Sequence, residues 1–415
     1  MIGNAKHSHS ITKNGTIRAS SHRSLPAMYA PLSRREFILH AFAGAGGGLA
    51  AGAVCAQPGT GRPPSTDSLR LGAAWRVAEN GRAVDHVGVL AVDWAAAQVR
   101  IVASQALPER AHGLLAEAGG GLLVVAARPG RWLMRLDGEG QVLTRHRLDT
   151  EQPLRTLGGH AITSADGQWV LTTETDTRDG SGWIGVRDAR TLARVQAWPT
   201  HGLDPHQHLW APDGSLLVAN GGIPRDARGD KRNLDAMAPS LVRLDGHTGA
   251  LLGQWRLEDP RLSLRHLAWN RRHDGQPVLG VALQAEHDTP AQRRDAPILA
   301  LWDGDHGLRL ATRSVAAAGY SGDICAGPGG GFVLSGQRTG EGLLWHPDAP
   351  DRWTTLARVT EPCALANWPD AGGVLVGAQF GIARWRAAGA PAMLPWPQAL
   401  TPDNHWVVLA PPAPA

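Results

Sequence analysis

A chain of 415 residues with 51 glycines and 29 prolines, its apolar residues in short runs between turn signals, excludes a helical class and fits many short strands joined by tight connections. Length alone does not force two domains, because closed all-β architectures often run past about 200 residues as one unit. The formal charge of +4 gathers near the start, where Lys6, Lys13, Arg18, Arg23, Arg34 and Arg35 face Glu36; the rest is close to neutral and carries no basic footprint for nucleic acid or an anionic membrane.

In chain order, the first segment reads as an address. Ser33-Arg34-Arg35-Glu36-Phe37-Ile38 is a twin-arginine motif, followed by a weakly apolar stretch from Leu39 to Val54 and a small-residue exit near Ala56. The stretch is short and glycine-diluted for a membrane span of about 20 residues. Val54 before Cys55 argues against a lipidated cysteine. The expected division is a leader over 1–56, with 1–27 outside the usual start at Met28, a linker over 57–67, a single domain over 68–410 and a tail over 411–415. Twin-arginine export predicts a protein folded before it reaches the periplasm.

The central region repeats. One unit runs Gly159-His160-Ala161-Ile162-Thr163, a turn at Ala165-Asp166-Gly167, Trp169 to Thr173, a polar loop, Trp183 to Asp188, and Arg194 to Trp198. The next keeps that order from His206 to Leu257. Four short strands, with an Asp-containing turn after the third, is the grammar of a propeller blade. Looser copies open at His112, His266, Asp323 and Cys363. The last segment, Asp403 to Leu409, reads as a lone first strand whose partners are Leu69–Trp75, His86–Asp93 and Val99–Ala103, so both chain ends share one blade and leave no open sheet edge. The expected fold is an all-β, seven-bladed β-propeller of YVTN/WD40-like type, six or eight blades being the alternatives.

The first strand of each blade lies nearest the axis, so the openings are neighbours in space: His112, His160, His206, His266, Asp323, Cys363 and His405. Imidazole recurs at one equivalent slot. The functional reading is a site for a transition metal (iron, copper or zinc) or a polar ligand at the channel mouth, with thiolate and carboxylate completing the set. The structural reading is that each ring donates to a backbone carbonyl of the adjacent blade.

The loops between second and third strands return to that same face, and the longest are expected at Glu174–Gly182, Gly221–Pro239 and about Gln284–Pro297. They carry Glu174, Asp176, Arg225, Lys231, Asn233 and Asp235, a candidate binding face for an ion, a small anion or a partner protein. Tryptophans such as Trp198, Trp302 and Trp345 are expected to pack between blades. Cys325 and Cys363 open adjacent blades; a disulfide is conceivable, with free buried thiols or Cys363 facing the channel as the other readings.

The runs Thr173-Glu174-Thr175-Asp176, His201-Gly202-Leu203-Asp204-Pro205-His206, Val218-Ala219-Asn220-Gly221-Gly222-Ile223 and Asn233 to Leu241, with Arg265-His266 and Asp403-Asn404-His405, resemble the domain of unknown function 1513 family over about residues 68–409. The resemblance implies a periplasmic, propeller-like protein working beside imelysin-type and di-haem oxidoreductase-like partners in iron acquisition, with no catalytic residues to carry over. Gln207 stands where the family pattern has Glu. A monomeric binding or scaffold protein is expected rather than an enzyme. The alternative is a metal- or haem-dependent oxidoreductase or, last, a lactonase-like hydrolase, for which the slot offers one carboxylate.

Overall fold

Each repeat becomes a four-stranded antiparallel sheet, and seven such sheets stand around one axis. The computed structural model describes residues 67–150, 154–368, 373–386 and 391–410; the twin-arginine leader and the tail 411–415 lie outside them. The innermost strands are Ala111–Ala116, Arg155–Thr163, Pro205–Trp210, Leu262–Arg271, Ile324–Ala326, Leu365–Trp368 and Thr401–Leu409. Each packs on the next, and the last returns to the first, closing the ring.

Closure is made by both ends of the chain, as expected. Thr401–Leu409 pairs with Ser68–Glu79, which continues through Arg82–Asp93 to Gln98–Ala106. The joining ladder sets Leu71 against Val408 and Ala73 against Trp406. A closed ring of sheets buries both faces of every blade, so second strands such as Leu122–Ala126 and Phe332–Gly336 are buried at every position. Outer strands meet solvent on one face, and Val142–Arg147 alternates accordingly.

The turn after the third strand is held the same way in successive blades. Asp188 accepts the Thr191 amide at 2.7 Å, Asp245 the Thr248 amide at 2.8 Å and Asp303 the His306 amide at 2.8 Å. A short carboxylate capping its own turn is why Asp recurs there. Between blades the core is aliphatic with tryptophan inserted: Trp198 packs with Ile184 and Val218, Trp302 with Leu279 and Leu241, and Trp345 with Phe332 and Leu343. Each such side chain contributes roughly 1.5–3 kcal/mol when fully buried.

One expected loop is mostly strand. The second strand of its blade runs Trp169–Asp176 and the third begins at Ser181, leaving a turn over 177–180. Glu174 and Asp176 therefore belong to the sheet, and both are buried. The segment 221–239 is a loop as expected, and 286–298 contains a short helix, Pro290–Arg294.

Candidate functional site

Five of the seven predicted slots converge. His112, His160, His206, His266 and His405 are all buried, and their rings stand 4.5–6.2 Å apart centre to centre in the pairs that touch. One nitrogen from each of His112, His160, His266 and His405 falls within 4.8 Å of the others.

A shared backbone device aims these rings. The ladder between first and second strands slips at each one: His112 and Gly113 stand against Val125, the run Gly158 to His160 against Thr173, His206 and Gln207 against Ala219, Arg265 and His266 against Ala282, and the run Asp403 to His405 against Ala74. An extra residue in one strand bends it and redirects a side chain. The first two bulges touch. Gly159 has φ +108°, and a Cβ there would lie 2.6 Å from the His112 ring; a Cβ on Gly113 would lie 2.2 Å from the Gly159 carbonyl oxygen. Only glycine lets these strands approach so closely.

The other two slots do not join. Cys363 and Asp323 precede strands whose ladders run without a slip. The Cys363 thiol donates toward the Gly377 carbonyl at 3.5 Å, packs in the core beside Leu375 and Trp406, and is pushed by burial up to about 12. It stands outside the group of converging ligand atoms and is in no disulfide; Cys325 is likewise free and buried. Asp323 accepts the Ile324 amide and, across to the next blade, the Leu365 amide, each at 2.9 Å, while its Oδ2 stands 3.4 Å from His405 Nδ1. It stands directly behind His405, within ion-pair range of its Nδ1.

The expected pattern of rings bonded to neighbouring carbonyls is absent among the described residues. His112 Nε2, His160 Nε2, His405 Nε2 and the Nδ1 atoms of His206 and His266 are buried without a hydrogen-bond partner. His206 Nε2 and His266 Nε2 meet at 2.8 Å, so one ring donates and the other accepts. Burial, and then the mutual repulsion of the rings, drives His112, His160, His206 and His266 well below the ordinary imidazole range. These four stay neutral; whichever of His206 and His266 accepts their shared bond spends its lone pair there, and the other three rings keep one to offer. By contrast His208, in the same strand as His206, gives its Nε2 to the Leu171 carbonyl at 3.1 Å, the structural role that the ring histidines lack.

Beside the cluster lies a group the sequence did not single out. Asp204, fully buried, receives Arg225 Nε at 2.8 Å, Arg265 Nη1 at 3.0 Å and Arg128. Burial pushes its carboxyl up, but the three guanidiniums outweigh it and hold the pKa below the ordinary value. Arg128 and Arg265 also depress His206 and His266. The sequence signal was adjacency: Asp204 and Arg265 flank two slot histidines.

The predicted binding-face residues separate. Glu174 bonds Arg187 at 2.7 Å with Arg155 and Arg194 beside it, a closed charge cluster inside the sheet. Asp176 is tied to Arg178 at 2.7 Å and drawn down to about 2, chiefly by that hydrogen bond. Lys231 pairs with Glu286 at 2.5 Å, and exposed Asp235 with Arg261 at 2.6 Å; Asn233 is exposed with left-handed φ. Gln207 accepts the Leu267 amide at 2.5 Å, linking two bulged strands.

Farther along the innermost strands, past His266 and His405, an open, uncharged cavity of about 340 Å³ is walled by Ala268, Cys325, Leu365, Ala366 and Val407.

Fold and site together define a closed seven-bladed propeller with an imidazole-lined channel mouth. The chain belongs to the DUF1513 family of proteins of unknown function, whose sequence profile matches residues 105–409. No curated protein matches it. Among solved structures it is similar to hydrazine synthase from Kuenenia stuttgartiensis, at 13% identity over 74% of this chain and 92% of that one, with a TM-score of 0.54. A virginiamycin B lyase from Staphylococcus aureus aligns at 12% identity over 72% and 91%, with a TM-score of 0.49. At such identities the likeness bears on the fold alone.

Proposed function

We propose that this protein binds a transition-metal ion, iron, copper or zinc, at the histidine cluster and serves as a periplasmic binding protein in iron acquisition. The observation that carries the metal reading is the set of buried imidazole nitrogens without partners: His112, His160, His266 and His405 each offer one atom within a 4.8 Å span. Leaving such groups unsatisfied costs about 1–3 kcal/mol each, and one ion would satisfy four at once. Nitrogens held at about 2.0–2.1 Å from an ion lie roughly 3–4 Å from one another, so a modest inward turn of the rings is enough. His206 and Asp323 act from behind, orienting His266 and His405 as outer-shell partners orient metal-bound histidines.

Neutral, all-imidazole donors suit iron, copper and zinc better than calcium or magnesium, which want oxygen. The twin-arginine motif and the resemblance support the compartment and the iron-handling partners, imelysin-type and di-haem oxidoreductase-like, with the propeller acting as a monomer.

Metal analysis of the protein purified from its own periplasm tests the reading, with about one ion per chain expected. His160→Ala and His266→Ala should each lower copper affinity at least tenfold and remove nitrogen couplings from the Cu(II) paramagnetic resonance spectrum. Protein that binds none of the three metals, or an unchanged spectrum in both variants, sinks it. Co-purification with an imelysin-type protein checks the partner separately.

A further inference from the structure

The loops joining second to third strands in the first three blades, with the strand residues Thr156 and Thr175 beneath them, enclose a cleft whose polar lining includes Arg128, Arg225 and these two threonines together with the carboxylates Asp176 and Asp226. We propose that this cleft is a binding site for a small oxyanion, a carboxylate or phosphate group, with Arg128 as its principal cation.

The charge count at its floor does not balance. Asp204 brings one negative charge to three guanidiniums, and its oxygens are occupied by Arg225 at 2.8 and 3.4 Å, by Arg265 at 3.0 Å and by Arg128. Arg225 is engaged at all three of its nitrogens, since its Nη1 also donates to the Gly229 carbonyl at 2.8 Å. Arg128 is not: its bond to Asp204 uses Nη1, and among the described residues it has no other hydrogen-bond partner. Its side chain is only 17% exposed, and burial lowers its pKa to about 9.

The two carboxylates of the lining, and the nearby Lys231, are committed to other partners. Asp176 is held by Arg178 at 3.0 and 2.7 Å and by Arg155 at 3.5 Å. Asp226 is held by Arg232 at 2.9 and 2.5 Å and by loop amides at 3.0 Å. Lys231 pairs with Glu286. None neutralises Arg128. A second donor without a partner sits in the same wall: Thr175 Oγ1 is buried and unbonded.

A guanidinium edge presents parallel N–H groups that match the two oxygens of a carboxylate or phosphate, and such charge-assisted pairs are the strong ones. An oxyanion would supply the missing negative charge and accept from Thr175 as well. A cation is repelled here, and a neutral ligand leaves the charge uncompensated. The site stands apart from the metal reading, because it needs no ion at the histidines.

The test titrates inorganic phosphate and, separately, acetate into the metal-free full chain by calorimetry. Saturable one-to-one binding of either is expected, and the tighter of the two identifies the group recognised. Arg128→Gln should weaken it tenfold or more. Thr175→Val, which keeps every Asp204 contact and the shape of the side chain, should weaken it several-fold with unchanged melting temperature. Failure of both probes to saturate overturns the proposal, as does undiminished binding in both variants. Metal-free protein that binds phosphate but later takes up no metal contradicts only the metal reading.

Discussion

The ring histidines are unusual for what they do not touch. A buried imidazole ordinarily settles at least one ring nitrogen on a carbonyl or hydroxyl, as His208 does with the Leu171 carbonyl while its Nδ1 stays bare; among the described residues none of the ring members bonds a carbonyl, and each keeps a bare nitrogen. Their titration then controls acid stability. His112, His160, His206 and His266 have folded pKa values well below 6.5, so below about pH 6.5 the unfolded chain takes up protons that the folded chain refuses. Stability is complete above that pH and falls as pH drops, by up to about 1.4 kcal/mol per pH unit for each histidine while it stays neutral in the fold. The lowered carboxyls lose their contribution only near and below pH 4, outside this window. Metal-free protein should show a marked fall in urea midpoint from pH 7.5 to pH 5, with a shallower fall in His160→Gln. A midpoint flat across that range contradicts the neutral cluster.

At the scale of the element, the bulge is the unit that makes the site. Each histidine sits where an innermost strand carries one or two residues more than its partner, and the blades of Asp323 and Cys363, which lack the slip, contribute no ring atom. The two glycine contacts between the first and second blades set how near His112 and His160 approach. Gly159→Ala puts a Cβ into the His112 ring and forces a positive φ on an L side chain, at a cost of about 1–3 kcal/mol from the backbone alone. Lower melting temperature together with copper affinity reduced at least tenfold is the expected result. A variant that melts lower but keeps full affinity shows that the bulge serves the fold and not the site. This was partly legible in advance: His112-Gly113 and Gly158-Gly159-His160 place glycine beside the slot, but a slip of register depends on the partner strand and has no signature within one strand.

For the whole molecule, closure is what brings distant slots together. Thr401–Leu409 is both the innermost strand of the shared blade and the carrier of His405. Deleting 401–415 strips Ser68–Glu79 of its inner partner, leaving it paired only with Arg82–Asp93, and removes the innermost strand that packs on both neighbouring blades. An open edge of that length invites pairing with other chains, so the truncated chain should elute as aggregate in size-exclusion chromatography. A soluble, cooperatively melting monomer contradicts the closing role of that strand.

The sequence by itself determined the blade grammar, the joint between the ends and the slot where histidine recurs, and pointed to seven blades with six or eight left open, because strand alternation, turn chemistry and repeat spacing are local properties of the chain. Only the tertiary structure decided which slots act together. It turned Asp323 from a candidate ligand into the anchor of His405, sent Cys363 into the core, and drew Glu174 off the rim into a closed pocket of arginines. It also disclosed the excess of guanidinium around Asp204. The physical reason is the same in each case: whether a polar side chain is free to act depends on which partners surround it, and in a propeller those partners come from other blades, brought close only when the ring shuts.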